Sequence, residues 1–106
     1  MDAKVQAHYK AKAQILKALA HPTRLFMVEE LEQGERCVCE LVAMVGADFS
    51  TISKHLSVLK QVGIVRDEKR GQQVFYHLQT PCVLRFVHCV EEVMASNRKA
   101  QLAILS

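Results

Sequence analysis

The sequence predicts a mainly α-helical fold that carries one small β-hairpin, and three observations lead to this prediction. Apolar residues recur at helical spacing in five stretches, which begin near residues 3, 22, 37, 49 and 81. Two stretches, 64–68 and 73–78, have the pattern of short strands and flank a turn at 69–72. Gly46 and Asp48 place a helix stop and a helix start close together, which is typical of a helix-turn-helix. The predicted order α-α-α-α-β-β-α is that of a winged helix-turn-helix, with residues 1–106 as a single domain.

Length, composition and charge limit the classes of protein to which this chain can belong. A chain of 106 residues has the size of one domain and can bury an adequate core without disulfides. No apolar run reaches membrane-spanning length and no signal-peptide pattern is present, so we expect a cytoplasmic protein with no membrane partner. The net charge of +3 permits nucleic-acid binding. No catalytic triad pattern, phosphate loop or pair of carboxylates indicates an enzyme, and nothing indicates an organic cofactor.

The fourth predicted helix, 49–61, has the composition of a helix that contacts DNA. Asp48 is a suitable N-cap, and Phe49 and Ile52 fall on one side with two later leucines, where they are predicted to anchor the helix to the core. The opposite face carries hydroxyls, an amide and a cation but no acidic residue, as expected for a helix in a major groove. The DNA contacts predicted from this helix and from the hairpin, or wing, are Ser50, Thr51, Ser53, Lys54, His55, Ser57, Lys69, Arg70 and Gln72. The predicted partner is double-stranded operator DNA.

Two helices are predicted to form a homodimer interface. The last helix is predicted to run from Pro81 to about Ser96, and its apolar stripe is wider than one small domain needs. The helix 3–19 has no single clean apolar stripe, which indicates that part of it packs on a partner chain. A dimer with one DNA-reading helix per chain would read an inverted repeat. Residues 100–105 are apolar again and either extend the interface or fray.

Cys37 and Cys39 stand at the start of the third predicted helix, close in sequence to the DNA-reading helix. Thiolates favour soft ions such as trivalent arsenic and antimony, cadmium, lead, zinc and copper(I). On a regular helix, residues two apart point about 200° away from each other. The two thiols could therefore share an ion only if the first turn of the helix were distorted. This distortion is the predicted route from ligand binding to DNA release.

Four segments together resemble the ArsR/SmtB family of metal-responsive winged-helix repressors, and most closely its arsenic-sensing branch. They are Leu-Ala-His-Pro-Thr-Arg at 19–24, Cys-Val-Cys-Glu-Leu at 37–41, Ile-Ser-Lys-His-Leu at 52–56 and Leu-Lys-Gln-Val-Gly-Ile-Val at 59–65. The resemblance implies a homodimer that blocks a promoter until an inducer binds, with arsenite or antimonite as the first expectation. It also assigns dimerisation to the first and last helices.

The chain departs from the arsenic-sensing pattern at one position, because the family's third cysteine is replaced here by Val42. The candidates for a third ligand are Cys89, Cys82, His8 of either chain, or a thiol from solution, and Cys89 is the first choice. The alternative for Cys82 and Cys89 is that both pack as small apolar residues, because both fall within apolar rows of the last helix.

Three other functions are compatible with the cysteines. The first is a sensor of cadmium, lead or zinc with the same fold, and the second is a repressor that senses thiol oxidation. A bridge between Cys37 and Cys39 is expected to be very strained, so the second function predicts Cys82 or Cys89 as the resolving thiol. The third is a metal storage or delivery protein, which the composition of 49–61 disfavours because delivery needs no helix that reads bases.

Overall fold

The computed structural model describes residues 1–105 and confirms a mainly helical winged helix-turn-helix. Within these residues it has five helices and three strands. In chain order these are α1 (Ala3–Leu19), α2 (Pro22–Glu32), β1 (Arg36–Cys37), α3 (Val38–Val45), α4 (Phe49–Gln61), β2 (Val65–Arg70), β3 (Gln73–Leu78) and α5 (Val83–Leu105). None of the helices in this range is both long enough and apolar enough to cross a membrane.

The sheet has three strands rather than the two predicted, in the antiparallel order β1-β3-β2. The predicted hairpin is confirmed. Its first strand ends at Arg70 and its second begins at Gln73. These two residues pair across a turn in which Gly71 has a φ of 62°. The additional strand β1 places Arg36 opposite Tyr76 and Cys37 opposite Phe75. The start of α3 is thereby attached directly to the wing.

The core lies between α2, α3, α4, the sheet and the start of α5. Its fully buried side chains are Met27, Val28, Leu41, Ile52, Leu56, Leu59, Ile64, Val65 and Leu84. The prediction that Phe49 anchors α4 to the core is wrong, because this side chain is 62% exposed. Phe49 is the first residue of α4, so it lies about one turn before Ile52, beyond the edge of the core.

The last helix is longer than predicted and is helical through Leu105. Leu84 and Val87 face the core, whereas Phe86, Val93 and Met94 are exposed. The alternative that both late cysteines are packed as small apolar residues is wrong for the single chain, in which Cys82 and Cys89 are exposed. On α1, every residue from 3 to 17 is likewise exposed, including Tyr9.

Candidate DNA interface and thiol site

Cys37 and Cys39 are joined by a disulfide bond, with their Cα atoms 5.3 Å apart. The predictions that these thiols diverge, and that they can meet only if the start of the helix is distorted, are therefore wrong for this structure. The reason is that Cys37 does not belong to the regular helix. It is the N-cap of α3, with an extended backbone at φ −75° and ψ 158°, so the angular spacing of a helix does not apply to the pair.

The sulfur of Cys37 also stabilises the start of α3. The backbone N–H of Glu40 donates to Cys37 Sγ at 3.2 Å, and the backbone N–H of Cys37 donates to Glu40 Oε1 at 3.0 Å. This reciprocal arrangement is a capping box in which cysteine takes the position usually held by serine or threonine. Cys37 is only 4% exposed, whereas Cys39 is open to solvent.

A hollow of about 130 Å³ lies beside the cysteine pair and is shared by three elements. Its lining consists of Cys37, Val38, Cys39, Phe49, Gln72, Gln73 and Val74. The start of α3, the first residue of α4 and the tip of the wing therefore border one space. A group bound at the sulfurs would lie next to both elements that are predicted to contact DNA.

The candidates for a third ligand lie apart from this pair. Cys82 borders a different hollow, with Glu32 and His88, and Cys89 is exposed on α5. His8 is exposed on α1, with its ring edge against Tyr9. Among residues 1–105, the one group of three Cys, His or acidic side chains with ligand atoms within 4.8 Å of one another contains no cysteine. A single chain thus offers two sulfurs to a bound ion.

The outer face of α4 has the predicted arrangement, because Ser50, Thr51, Lys54 and Ser57 are all exposed. Asp48 caps the helix and accepts hydrogen bonds from the Thr51 N–H at 2.7 Å and from Ser50 Oγ at 3.3 Å. These hydrogen bonds hold the pKa of the Asp48 carboxyl below its usual value. The Asp48 side chain therefore stabilises the start of α4.

His55 and Ser53 differ from the other predicted contacts on α4, because both are only half exposed. Arg24 Nε donates a hydrogen bond to His55 Nδ1 at 3.1 Å, and the His21 ring lies 4.3 Å from the His55 ring. Burial, the charge of His21 and the charge of Arg24 hold the pKa of His55 below its usual value. In this position His55 connects α4 to the start of α2.

We predict that acid weakens the fold through His55. Its ordinary pKa is 6.5 and its folded-state pKa is lower, so the unfolded chain binds a proton first as the pH falls. The stabilisation from neutral His55 is present above pH 6.5 and is lost as the pH falls through the folded-state pKa. Urea unfolding of the wild type should show a falling midpoint between about pH 7 and pH 5. His55→Gln should flatten this dependence, whereas His8→Gln at an exposed site should retain it.

The wing carries the predicted contacts Lys69, Arg70 and Gln72, all exposed, but the Arg70 guanidinium is already engaged. It donates to both carboxylate oxygens of Glu35 at 2.6 and 2.7 Å and to Glu68 at 2.9 Å, and it stacks on Phe75 at 4.5 Å. These hydrogen bonds hold the pKa values of the two carboxyls below their usual range. A contact between Arg70 and DNA would compete with the hydrogen bonds from Arg70 to Glu35 and Glu68.

His77 completes this cluster, with Nε2 3.2 Å from Glu35 and 3.1 Å from Glu68. Glu35, Glu68 and His77 were not among the site residues predicted from the sequence. The period-2 alternation of the hairpin could have identified two of them, because it places Glu68, Arg70, Phe75 and His77 on one face. Glu35 joins them through β1, which the sequence did not predict.

Comparison with known proteins identifies the family. The sequence model described as "Bacterial regulatory protein, arsR family" matches residues 21–67. An uncharacterized HTH-type transcriptional regulator of Methanocaldococcus jannaschii is 37% identical over 86 residues, which cover 80% of this chain and 97% of the relative. The chain belongs to the ArsR family. A biofilm growth-associated repressor of Xylella fastidiosa is 34% identical over 87 residues, covering 82% of this chain and 76% of the relative.

Solved structures of related regulators agree with this ArsR-family assignment. The crystal structure of the transcriptional repressor BigR from Xylella fastidiosa has a TM-score of 0.72 and 32% identity, covering 88% of this chain and 96% of that one. A homodimeric winged helix-turn-helix DNA-binding domain from Mycobacterium bovis has a TM-score of 0.78 and 28% identity. The match covers 94% of this chain and 93% of that one. This protein is thus an ArsR-family transcriptional repressor with the fold of homodimeric, DNA-binding relatives. The relatives are transcriptional regulators, which are not enzymes.

Proposed function

We propose that this repressor is a cytoplasmic homodimer, that residues 1–106 act as one DNA-binding domain, and that a thiophilic metalloid releases it from operator DNA. Arsenite or antimonite is the proposed inducer, and reduced Cys37 and Cys39 are its ligands. The observation that carries the proposal is the shared hollow, which brings both cysteines next to Phe49 of α4 and Val74 of the wing. The two side chains converge in the disulfide, so after reduction both thiols are close enough in the chain to bind the same soft atom.

The N-cap of α3 provides a route from the thiols to DNA. Arsenite binding exchanges two hydroxyl groups of arsenous acid for two cysteine sulfurs and releases two water molecules. Cys37 Sγ then uses an electron pair for the metalloid and becomes a weaker acceptor for the Glu40 N–H. Loss of an N-cap costs about 0.5–2 kcal/mol, and a dimer has two such caps. The free energy of losing these caps is similar in size to a typical allosteric coupling free energy of about 1–3 kcal/mol.

The proposed DNA interface is formed by the exposed residues of α4 and the wing. On α4 these are Ser50, Thr51, Lys54 and Ser57, with Ser53 and His55 at the edge, and on the wing they are Lys69, Arg70 and Gln72. Lys54 and the wing cations supply charge for phosphates, whereas the hydroxyls allow close approach to base edges.

A second candidate, a repressor that senses oxidation, is favoured by the disulfide itself. Two thiols would give two electrons and two protons to a peroxide, which leaves as two water molecules. In this case Cys37 and Cys39 resolve each other and need neither Cys82 nor Cys89. The two candidates differ in the reagent that releases the DNA. A metalloid sensor releases it with arsenite in the presence of excess reductant, whereas release by peroxide is reversed by reductant.

One titration distinguishes these functions. The reduced dimer bound to a fluorescent operator is titrated separately with arsenite, antimonite, cadmium, lead, zinc and hydrogen peroxide. We expect arsenite and antimonite to release DNA at the lowest concentrations and in the presence of excess reductant. Release by peroxide alone, reversed by reductant, would favour oxidation sensing. Release by cadmium, lead or zinc at lower concentrations than arsenite would contradict the proposed inducer.

We predict opposite effects of three charge variants on operator affinity. Lys54→Ala and Arg70→Ala should weaken binding and flatten its dependence on salt, by about two in the slope of log K against log salt if each protomer loses one phosphate contact. Glu35→Gln should strengthen binding, because it frees part of the Arg70 guanidinium. Fluorescence anisotropy at several salt concentrations measures both the affinity and its salt dependence.

Ser50→Ala and Thr51→Ala should instead change sequence preference. Unchanged affinity and unchanged preference in all of these variants would contradict the assignment of α4 as the helix that contacts DNA.

A further inference from the structure

Phe49 is an exposed aromatic side chain that neither the core nor the dimer interface explains. Most large exposed apolar side chains of residues 1–105 belong to α1 and α5, the helices assigned to dimerisation. Outside those helices and Met1, the set consists of Phe26 at 39%, Met44 at 42% and Phe49 at 62% exposed. Phe49 is the most exposed of the three, and it is the only one on α4.

The position of Phe49 within α4 determines what it can reach. It is the first residue of the helix and directly precedes Ser50, whose hydroxyl hydrogen-bonds to the Asp48 cap. In helix-turn-helix proteins the N-terminal residues of the recognition helix contact base edges. The cap at Asp48 therefore fixes the backbone of Phe49 at the end of the helix that enters the groove.

The chemistry of the side chain determines what it can recognise there. A phenylalanine ring has no hydrogen-bond donor or acceptor, so it cannot read the polar edges of bases. The apolar group that a major groove presents is the C5 methyl of thymine, and phenylalanine is one of the side chains that contact it. On its other side, Phe49 borders the hollow that it shares with Val74 and the cysteine pair.

We propose that Phe49 is a specificity-determining residue that contacts the C5 methyl of one thymine in each operator half-site. The proposal rests on the proposed DNA interface, which it extends by a residue that the sequence pattern assigned to the core. Contact with one methyl group is worth a factor of about four in affinity. Two half-sites in one dimer therefore give a factor of about fifteen.

The test removes the methyl group without changing base pairing. Binding sites are first selected from random duplex DNA with the full-length dimer. Each thymine of the selected site is then replaced in turn by deoxyuridine, in both half-sites together, and affinity is measured for the wild type, Phe49→Ala and Phe26→Ala. Thermal unfolding of each variant accompanies the binding data, and the exposure of Phe49 makes a folded Phe49→Ala the expected result.

At one symmetric pair of thymines, we expect replacement by deoxyuridine to lower the affinity of the wild type and of Phe26→Ala about fifteenfold. The affinity of Phe49→Ala should not change at that pair. Phe49→Ala should bind the unmodified operator about as weakly as the wild type binds the deoxyuridine operator. Specific wild-type binding that is insensitive to every replacement would overturn the role of Phe49 and leave the DNA interface intact. The same conclusion follows if Phe49→Ala keeps the sensitivity, because another residue then reads the methyl. Failure to select any preferred sequence would reject the interface and this inference together.

Discussion

Cys37→Ser and Cys39→Ser are each expected to abolish release of the operator by arsenite while leaving operator affinity within about twofold. One remaining sulfur cannot form the two bonds that hold the metalloid in the hollow beside Phe49. Serine is among the preferred N-cap residues, so the Cys37→Ser hydroxyl can accept the Glu40 N–H in place of the sulfur. Cys39 is exposed, so its replacement leaves the packing of α3 unchanged.

Cys82→Ser and Cys89→Ser replace two further exposed cysteines of the same chain, keep both sulfurs of the Cys37 and Cys39 pair, and test for a third ligand. If arsenite uses a third sulfur of the dimer, we expect Cys89→Ser to raise the arsenite concentration needed for release more than Cys82→Ser does. The measurement is anisotropy of operator DNA against arsenite, at fixed salt and with excess reductant. Release at the wild-type arsenite concentration in the Cys37 and Cys39 variants would show that Cys-Val-Cys is not the sensor.

The elements that could be predicted from the sequence are those whose signals are local. The helix α4 begins and ends where predicted, because Asp48 and the glycine at 63 are strong boundary residues for a helix. The hairpin is predicted by alternation around a glycine turn. By contrast, β1 is only two residues long and has no periodicity to detect. Its pairing with β3 brings Glu35 to Arg70, so the charge cluster of the wing was not predictable either.

Two errors about the site have the same cause, which is that helical periodicity was applied at a helix terminus. Cys37 is an N-cap with extended backbone, so it converges with Cys39 instead of diverging from it. Phe49 has the right spacing from Ile52 to be buried, but the core does not extend as far as the first residue of α4. The extent of α5 was underestimated for another reason. Residues 97–105 contain no glycine or proline and include Arg98, Lys99 and Ala100, which are good helix formers.

The second large effect is expected from Val93→Asp in α5, which should convert the dimer to a monomer and lower operator affinity by about 100-fold or more. Val93 is 58% exposed in the single chain, on the helix assigned to dimerisation. In a symmetric dimer the substitution introduces two carboxylates into an apolar interface, and burying unpaired charges is costly. A monomer contacts one half-site at a time and loses the effective concentration that a second linked contact provides.

The monomer formed by Val93→Asp should remain folded, because the side chains of α5 that enter the core are Leu84 and Val87 and not Val93. Sedimentation velocity at micromolar protein gives the oligomeric state, circular dichroism gives the helix content, and anisotropy compares full operators with half-sites. The wild type should prefer the full operator strongly, whereas Val93→Asp should bind both with the same low affinity. Glu92→Gln, at the adjacent exposed position, is the control and should remain a dimer. If Val93→Asp sediments as a dimer and binds the full operator normally, this face of α5 is not the dimer interface, and the exposed apolar residues of α1 would have to supply it.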